Sequence, residues 1–177
     1  MKNILRYLRY DWPVFILLLV TNWLPDNIIF LRFRGFLISS FLGSCKGSLR
    51  IGRNVVIQNP SKINLGKHVH IGYGTIFLPT AVINIGSFVS IAPYCVFVSA
   101  NHVRINGSFF NDELTASPIN ILDHCWLGAH VVITAGSMIA SGSCVGAGAV
   151  TSGTYDKSAL IGGVPAKVIK YFEQNNN

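Results

Sequence analysis

The sequence predicts an all-β fold, a parallel β-helix, and two regularities lead to this prediction. Residues 64–83 and 84–103 align as consecutive repeats of about twenty residues, with identical Asn, Gly, Val, Ile and Phe at matching positions. Apolar side chains also recur at every sixth position. A unit of six residues fits one short strand and one corner, and three such units close a triangular coil. The positions that keep this spacing are Ile51, Ile57 and Ile63; Leu65, Ile71, Phe77 and Ile83; Ile85, Ile91, Phe97 and Val103; and Ile121, Leu127, Ile133, Ile139 and Val145.

The same spacing divides the chain into three parts. We expect the β-helix to span residues 44–163, with aliphatic side chains stacked inside and a small residue beside each at the corners. The spacing is interrupted once, over residues 104–117, where we expect a loop that leaves the prism. A helical segment, 1–43, precedes the β-helix, and a tail with a short helix, 164–177, follows it.

Charge is concentrated at the N-terminal end of the chain. Of the 177 residues, 12% are charged, and residues 1–53 hold eight of the 14 Lys and Arg and two acids, or +6 of the net +7. The low charged fraction argues against long disorder. Because the remainder is close to neutral, the sequence gives little support for a basic groove for nucleic acid along the whole molecule.

The N-terminal segment is apolar as well as basic. Its longest apolar run, 14–20, is too short for a spanning helix, which needs about 20 residues. We expect Asp11 to cap a helix and a second helix to run over 28–42. Both helices could pack on the rest of the protein or on a sister subunit, or lie on the inner membrane leaflet with Trp12 and Trp23 at headgroup level. On a helical wheel, one face collects Leu5, Leu8, Trp12, Phe15 and Leu19, and Lys2, Arg6 and Arg9 adjoin it.

The cysteines and histidines do not form a metal-binding pattern. Four dispersed cysteines, with no CxxC pair, are interpreted as small buried side chains in a reducing compartment, and they are Cys45, Cys95, Cys125 and Cys144. His68 and His70 alternate along one predicted strand and would share a face, but no third ligand is suitably spaced. We therefore predict no metal.

Three motifs carry a family resemblance over about residues 45–171. They are the [LIV]-G-x4 hexapeptides, the segment 118–128 (PINILDHCWLG) and the tail 161–170 (IGGVPAKVIK). Together they resemble the hexapeptide-repeat acyltransferases, whose fold is a left-handed β-helix. Residues 23–57 look most like the O-acetyltransferases of bacterial colanic acid, capsule and O-antigen synthesis. The resemblance implies a homotrimer that uses acetyl-CoA.

His102 is the candidate catalytic residue. It lies just before the interruption, and if Val103 points inward, His102 points outward beside the loop. A lone imidazole can accept the proton of a sugar hydroxyl near neutral pH, so transfer needs no covalent intermediate. In the family that the chain resembles, a His ahead of the P-x-x-I segment is the general base, and this role falls on His102.

The resemblance also assigns binding residues. The acetyl-CoA contacts fall on Ala129, Ala147, Ser152, Gly153, Lys167 and Lys170. The segment 151–156 departs from the family pattern because it lacks the usual lysine. A backbone N–H within 126–129 would stabilise the oxyanion. The acceptor contacts would come from Tyr73, Asn101, Arg104 and Trp126.

The predicted function is O-acetyl transfer from acetyl-CoA to a sugar hydroxyl of a bacterial surface polysaccharide or its lipid-linked precursor. The enzyme would be cytoplasmic, with a peripheral inner-membrane contact through residues 1–42. Two alternatives stay open. One is a soluble acetyltransferase acting on serine, an antibiotic or a nucleotide sugar, and the other is a non-catalytic, membrane-associated β-helix scaffold.

Overall fold

The computed structural model describes residues 2–173, with side chains from Ile4 onward, and its main body is a three-sided prism of short parallel strands. The predicted parallel β-helix is confirmed. We call the three sheets faces A, B and C. Face A contains β1 (Ser44–Cys45), β4 (Ile63–Leu65), β7 (Ile83–Ile85), β12 (Ile119–Ile121), β15 (Met138–Ile139) and β18 (Thr154–Tyr155). Face B contains β2 (Arg50–Ile51), β5 (His70–Ile71), β8 (Ser90–Ile91), β13 (Trp126–Leu127), β16 (Cys144–Val145), β19 (Ala159–Gly163) and β20 (Ala166–Tyr171). Face C contains β3 (Val56–Ile57), β6 (Ile76–Leu78), β9 (Val96–Val98), β14 (Val132–Ile133) and β17 (Val150–Thr151).

The register of the strands follows the repeat read from the sequence. Asn64 pairs with Ser44 below it and with Asn84 above it, 20 residues away in each direction. Fourteen of the sixteen predicted inward positions are buried, and the rings of Phe77 and Phe97 stack with centroids 4.6 Å apart. Ile57 is half-buried, and Val103 is half-buried outside the prism.

A layer of helices closes the open end of the first coil. It consists of α1 (Lys2–Arg6), a π-helical stretch (Tyr7–Asp11), α2 (Trp12–Thr21) and α3 (Ile28–Ser39). We call residues 2–39 the helical cap. Val14 and Ile38 of the cap belong to the same buried cluster as Leu49 and Ile51, whose side chains point into the first coil. A 3-10 turn (Pro60–Lys62) completes that coil.

Side chains of the cap accept the hydrogen bonds that a preceding coil would otherwise accept from the first coil. In later coils, a corner N–H donates to a carbonyl of the coil below. The first coil has no coil below it, so the N–H of Asn54 donates to Asn22 Oδ1 at 2.9 Å and that of Asn59 to Asp11 Oδ1 at 2.8 Å. The prediction that Asp11 caps a helix is therefore wrong, because its carboxylate serves the β-helix instead.

The second helix is shorter than expected. Asn27 caps α3, because its Oδ1 accepts the N–H groups of Ile29 and Phe30, both at 3.1 Å. The helix ends at Ser39 rather than at residue 42. No helix within residues 2–173 is long and apolar enough to cross a bilayer.

The predicted C-terminal helix is wrong. Residues 166–171 form β20, which pairs antiparallel with β19 at the last coil of face B. A strand forms here because the last coil leaves unpaired backbone groups at its edge, and β20 satisfies them. Residues 174–177 of the predicted tail lie outside the described residues.

The four cysteines are free thiols, and the interpretation that they are buried holds for two of them. Cys95 and Cys125 are buried, whereas Cys45 and Cys144 are half-buried. Burial raises the pKa of Cys95 to about 11. This thiol is therefore protonated at neutral pH and unsuited to act as a nucleophile.

Candidate active site

A β-hairpin interrupts the prism at the edge between faces C and A. Its strands are β10 (Ala100–His102) and β11 (Leu114–Ala116), and the N–H of Ser117 donates to Ser99 O at 3.1 Å to close its base. The excursion therefore begins at Ala100, four residues earlier than the sequence indicates. The sequence did not reveal this earlier start, because the apolar Val103 continues the six-residue spacing although its side chain does not enter the core.

The hairpin carries three of the predicted site residues. His102 pairs with Leu114 across the hairpin, and Asn101 pairs with Thr115. The side chains of His102, Asn101 and Arg104 are all exposed. The imidazole is thus open to a substrate on an element that departs from the regular coil.

Two predicted cofactor residues lie at this same C–A edge. Ser152 and Gly153 connect β17 to β18 and are exposed. The corner that contains Gly136 lies between these two residues and the hairpin. It is close to the base of the hairpin, since a Cβ built on Gly136 would be 3.7 Å from the Cβ of Ser117. The C–A edge therefore groups His102 with Ser152 and Gly153.

The other edge of face C, between faces B and C, holds the predicted alanines. Ala129 and Ala147 occupy the same corner position in adjacent coils, and the N–H of Gly148 donates to Ala129 O at 2.9 Å. Tyr73 lies at this edge in a lower coil. It is half-buried, and its hydroxyl accepts a hydrogen bond from Asn54 Nδ2 at 2.5 Å.

Tyr94 and His130 also lie at this B–C edge, and the sequence analysis did not predict them as site residues. Their rings stack with centroids 5.1 Å apart, and Tyr94 meets Tyr73 edge-on at 5.3 Å. Gly74 makes room for this arrangement, because a Cβ there would lie 2.7 Å from the Tyr94 ring. Desolvation and then the neighbouring Tyr73 raise the pKa of Tyr94.

The remaining predicted residues lie on face B. Trp126 is 53% exposed at the middle of this face, between Ser90 and Cys144 in the adjacent coils. Lys167 and Lys170 are exposed on β20, at the far end of the same sheet. One protomer therefore does not bring all the predicted residues together.

The outward side chains of face C differ from those of face A. On face A, Asn64 Nδ2 donates to Asn84 Oδ1 and Asn84 Nδ2 to Asn120 Oδ1, both at 2.9 Å. On face C, the corresponding row is entirely aliphatic. It consists of Val56, Ile76, Val96, Val132 and Val150. An apolar surface thus separates the two edges that hold most of the site residues.

His68 and His70 do not share a face, contrary to the sequence interpretation. His68 lies at the edge between faces A and B, where its ring stacks on Phe88 with centroids 5.0 Å apart. His70 lies on face B, where burial and then the charge of Arg50 lower its pKa. Among residues 2–173, no group of three His, Cys, Asp or Glu side chains is arranged to hold a metal ion.

No protein-family model matches the chain. A solved hexapeptide-repeat acetyltransferase of Vibrio cholerae O1 biovar eltor, complexed with acetyl coenzyme A, superposes with a TM-score of 0.79 at 26% identity. The match covers 92% of this chain and 86% of that one. The chain is therefore similar, in fold and in sequence, to hexapeptide-repeat acetyltransferases.

Two curated relatives of this chain are named as sugar or polysaccharide enzymes. The putative colanic acid biosynthesis acetyltransferase WcaF of Escherichia coli K12 is 28% identical over 154 residues, covering 84% of this chain and 79% of the relative. The galactoside O-acetyltransferase of the same organism is 29% identical over 126 residues, covering 68% of this chain. The chain spans 62% of the length of that galactoside enzyme.

Proposed function

We propose that this acyltransferase moves an acetyl group from acetyl-CoA to a sugar hydroxyl of a bacterial surface polysaccharide or of its lipid-linked precursor. The observation that carries the proposal is the exposed imidazole of His102 on a hairpin that interrupts an otherwise regular prism. The similarity to the colanic acid relative favours a polysaccharide acceptor over a free disaccharide.

In the proposed reaction, His102 is the general base. Its imidazole accepts the proton of the sugar hydroxyl while the hydroxyl oxygen attacks the thioester carbonyl. The tetrahedral intermediate then collapses, the C–S bond breaks, and the thiolate of CoA leaves and takes the proton from the imidazolium. The acetyl group passes directly to the sugar, and no covalent enzyme intermediate forms.

The N–H of Ala129 is the oxyanion donor that the geometry favours within 126–129. The N–H groups of Trp126 and Gly128 donate to carbonyls of the next coil, and Leu127 lies in β13, which pairs with a strand on each side. Among the described residues, the N–H of Ala129 has no such partner. It lies at an open corner, where a donor of fixed direction can stabilise a developing negative charge.

The complete site would form between copies of the chain in a homotrimer. The aliphatic row of face C suits burial, and packing face C of one copy beside the next would bring a B–C edge against a C–A edge. Ala129 and Ala147 of one copy would then face His102 and Ser152 of its neighbour. This arrangement explains why one protomer keeps the predicted residues apart.

The remaining residues would act in the same channel. Lys167 and Lys170 would offer point charges to the phosphates of CoA, and Gly153 would contact the cofactor through its backbone. Tyr73, Asn101, Arg104 and Trp126 would contact the acceptor. We also propose that the enzyme is cytoplasmic and touches the inner membrane through residues 1–42, of which Met1 lies outside the described residues.

An acceptor panel tests the proposed function. Release of CoA from acetyl-CoA is followed with lipid-linked and free glycans, and with serine, an aminoglycoside and a nucleotide sugar. We expect release to be stimulated by glycans, with the acetyl ester found on a sugar hydroxyl by mass spectrometry. Stimulation by a small acceptor alone would favour the soluble alternative, and no stimulation by any acceptor would favour a non-catalytic scaffold.

A further inference from the structure

The outer surface of the helical cap is strongly apolar. The exposed large hydrophobic side chains of residues 4–173 number 28, and 14 of them fall between Ile4 and Phe36. The buried side of the cap packs on the first coil, and some exposed side chains border the prism: Phe15 and Leu19 lie beside Val56, and Phe36 lies beside Leu49. The exposed residues of the cap are Ile4, Leu5, Tyr7, Leu8, Trp12, Phe15, Ile16, Leu19, Val20, Trp23, Ile28, Ile29, Phe33 and Phe36.

The acidic side chains of the cap point toward the prism. Asp11 and Asp26 are its two acids, and both bind the first coil: Asp11 accepts from Asn59, and Asp26 accepts from the N–H of Arg53 at 3.1 Å. Asp26 Oδ1 also pairs with the buried Arg34 at 2.8 Å.

The free charges on the outer surface of the cap are positive. The side chains of Arg9 and Arg32 are exposed, and that of Arg6 is partly exposed. An apolar surface flanked by arginines, with its carboxylates turned away, complements an anionic lipid bilayer.

The position of the cap fixes the direction of docking. Because the cap covers the open end of the first coil, its outer surface lies across the prism axis, and the coils stack away from it. Two strand spacings of about 4.8 Å separate β3 from β9, where the excursion leaves. The helical layer adds about 10 Å, and an interfacial helix sinks roughly 5–10 Å into a bilayer.

We propose that the helical cap docks the protein end-on onto an anionic membrane and thereby holds the base of the excursion about 10–15 Å above the lipid. The part that concerns the acceptor rests on the proposed function. At this height His102 reaches a sugar some distance along a lipid-linked glycan, and the sugar attached directly to the lipid phosphate lies below the site.

Vesicle co-sedimentation of the full chain without acetyl-CoA tests the docking. The probes are vesicles of phosphatidylcholine, and vesicles in which phosphatidylglycerol replaces about a third of it. We expect the protein to pellet with the anionic vesicles and to be released by high salt. Equal binding to both compositions, or binding to neither, would overturn the proposal.

Matched variants locate the contact. Trp23→Ser, Ile29→Ser and Phe36→Ser together change side chains that are 78%, 70% and 75% exposed, so the fold should survive. We expect this triple variant to lose most vesicle binding, and Arg9→Gln to weaken it about fivefold. Val164→Ser and Ile169→Ser are the control, because these side chains are exposed at the other end of the prism.

The same triple variant separates a lipid contact from a contact between copies. We expect its oligomeric state, measured by light scattering, to equal that of the unmodified protein. A loss of oligomers would show that the apolar surface is covered by another copy of the chain and would overturn the docking.

Mapping the acetyl ester tests the height. On a lipid-linked oligosaccharide in anionic vesicles, we expect mass spectrometry to find the ester beyond the sugar attached to the lipid phosphate. An ester on that first sugar would contradict the height while leaving acetyl transfer intact. Vesicle binding without any acetyl transfer would instead sink the proposed function and leave the docking in place.

Discussion

His102 lies on a strand of an exposed hairpin, so its side chain can be changed with little effect on the core. Its candidacy could be predicted, because the residue precedes a break in an otherwise regular spacing. The stacked pair of Tyr94 and His130 could not. To predict that these two residues are neighbours, one must know how many residues the excursion between their coils contains. The apolar Val103 made that number unclear in the sequence.

At this scale we predict that His102→Ala lowers acetyl transfer about 100-fold or more, because no other imidazole lies on the hairpin. The melting temperature and the oligomeric state should not change. His68→Ala is the matched control, since His68 is an exposed imidazole at a different edge and should keep full activity. Activity of the His102 variant near that of the control would remove His102 as the base.

At the scale of elements, the helical cap is fastened to the prism through Arg34. This side chain is fully buried, pairs with Asp26, and donates from Nη1 to Ile51 O at 3.1 Å and from Nε to Thr21 O at 3.3 Å. It therefore links α2, α3 and the first coil. The sequence predicted the two helices from their apolar patterns, but not this link, because a buried arginine looks like any other basic residue in the segment.

We predict that Arg34→Leu costs about 3–5 kcal/mol of unfolding free energy, because it removes the charge that pairs with Asp26 and leaves the carbonyls of Ile51 and Leu24 without their donor. Denaturant unfolding measures the loss, and limited proteolysis should cut the cap first. Arg32→Leu, on an exposed position of the same helix, should change stability by less than about 0.5 kcal/mol. Similar losses for both variants would contradict this role of Arg34.

The C-terminal element also differs from the sequence prediction, for a related reason. Residues 166–171 were expected in a helix, yet they form a strand because the last coil offers an unpaired edge. The pattern of a short terminal segment does not contain that information. The coils, by contrast, repeat the same pattern many times, and repetition made their prediction secure.

At the scale of the whole molecule, we propose that copies of the chain assemble through the aliphatic row of face C. We predict that Val132→Glu disrupts the proposed trimer, because a carboxylate would be buried without a partner. Sedimentation equilibrium should show a monomer. Asn120→Glu is the matched control in the same coil, on polar face A, and should leave the assembly unchanged. A trimer that persists in the Val132 variant would place the contact elsewhere.

The side chains that cover the first coil have a further consequence. Another copy can extend a β-helix only where the backbone groups of its last strands are free to pair. At the first coil, the side chains of Asn22, Asp11 and Asp26 already accept hydrogen bonds from those backbone groups. At the opposite end, β20 runs antiparallel and offers face B no parallel template. Head-to-tail growth of the protein into a fibre is therefore blocked at one end and hindered at the other.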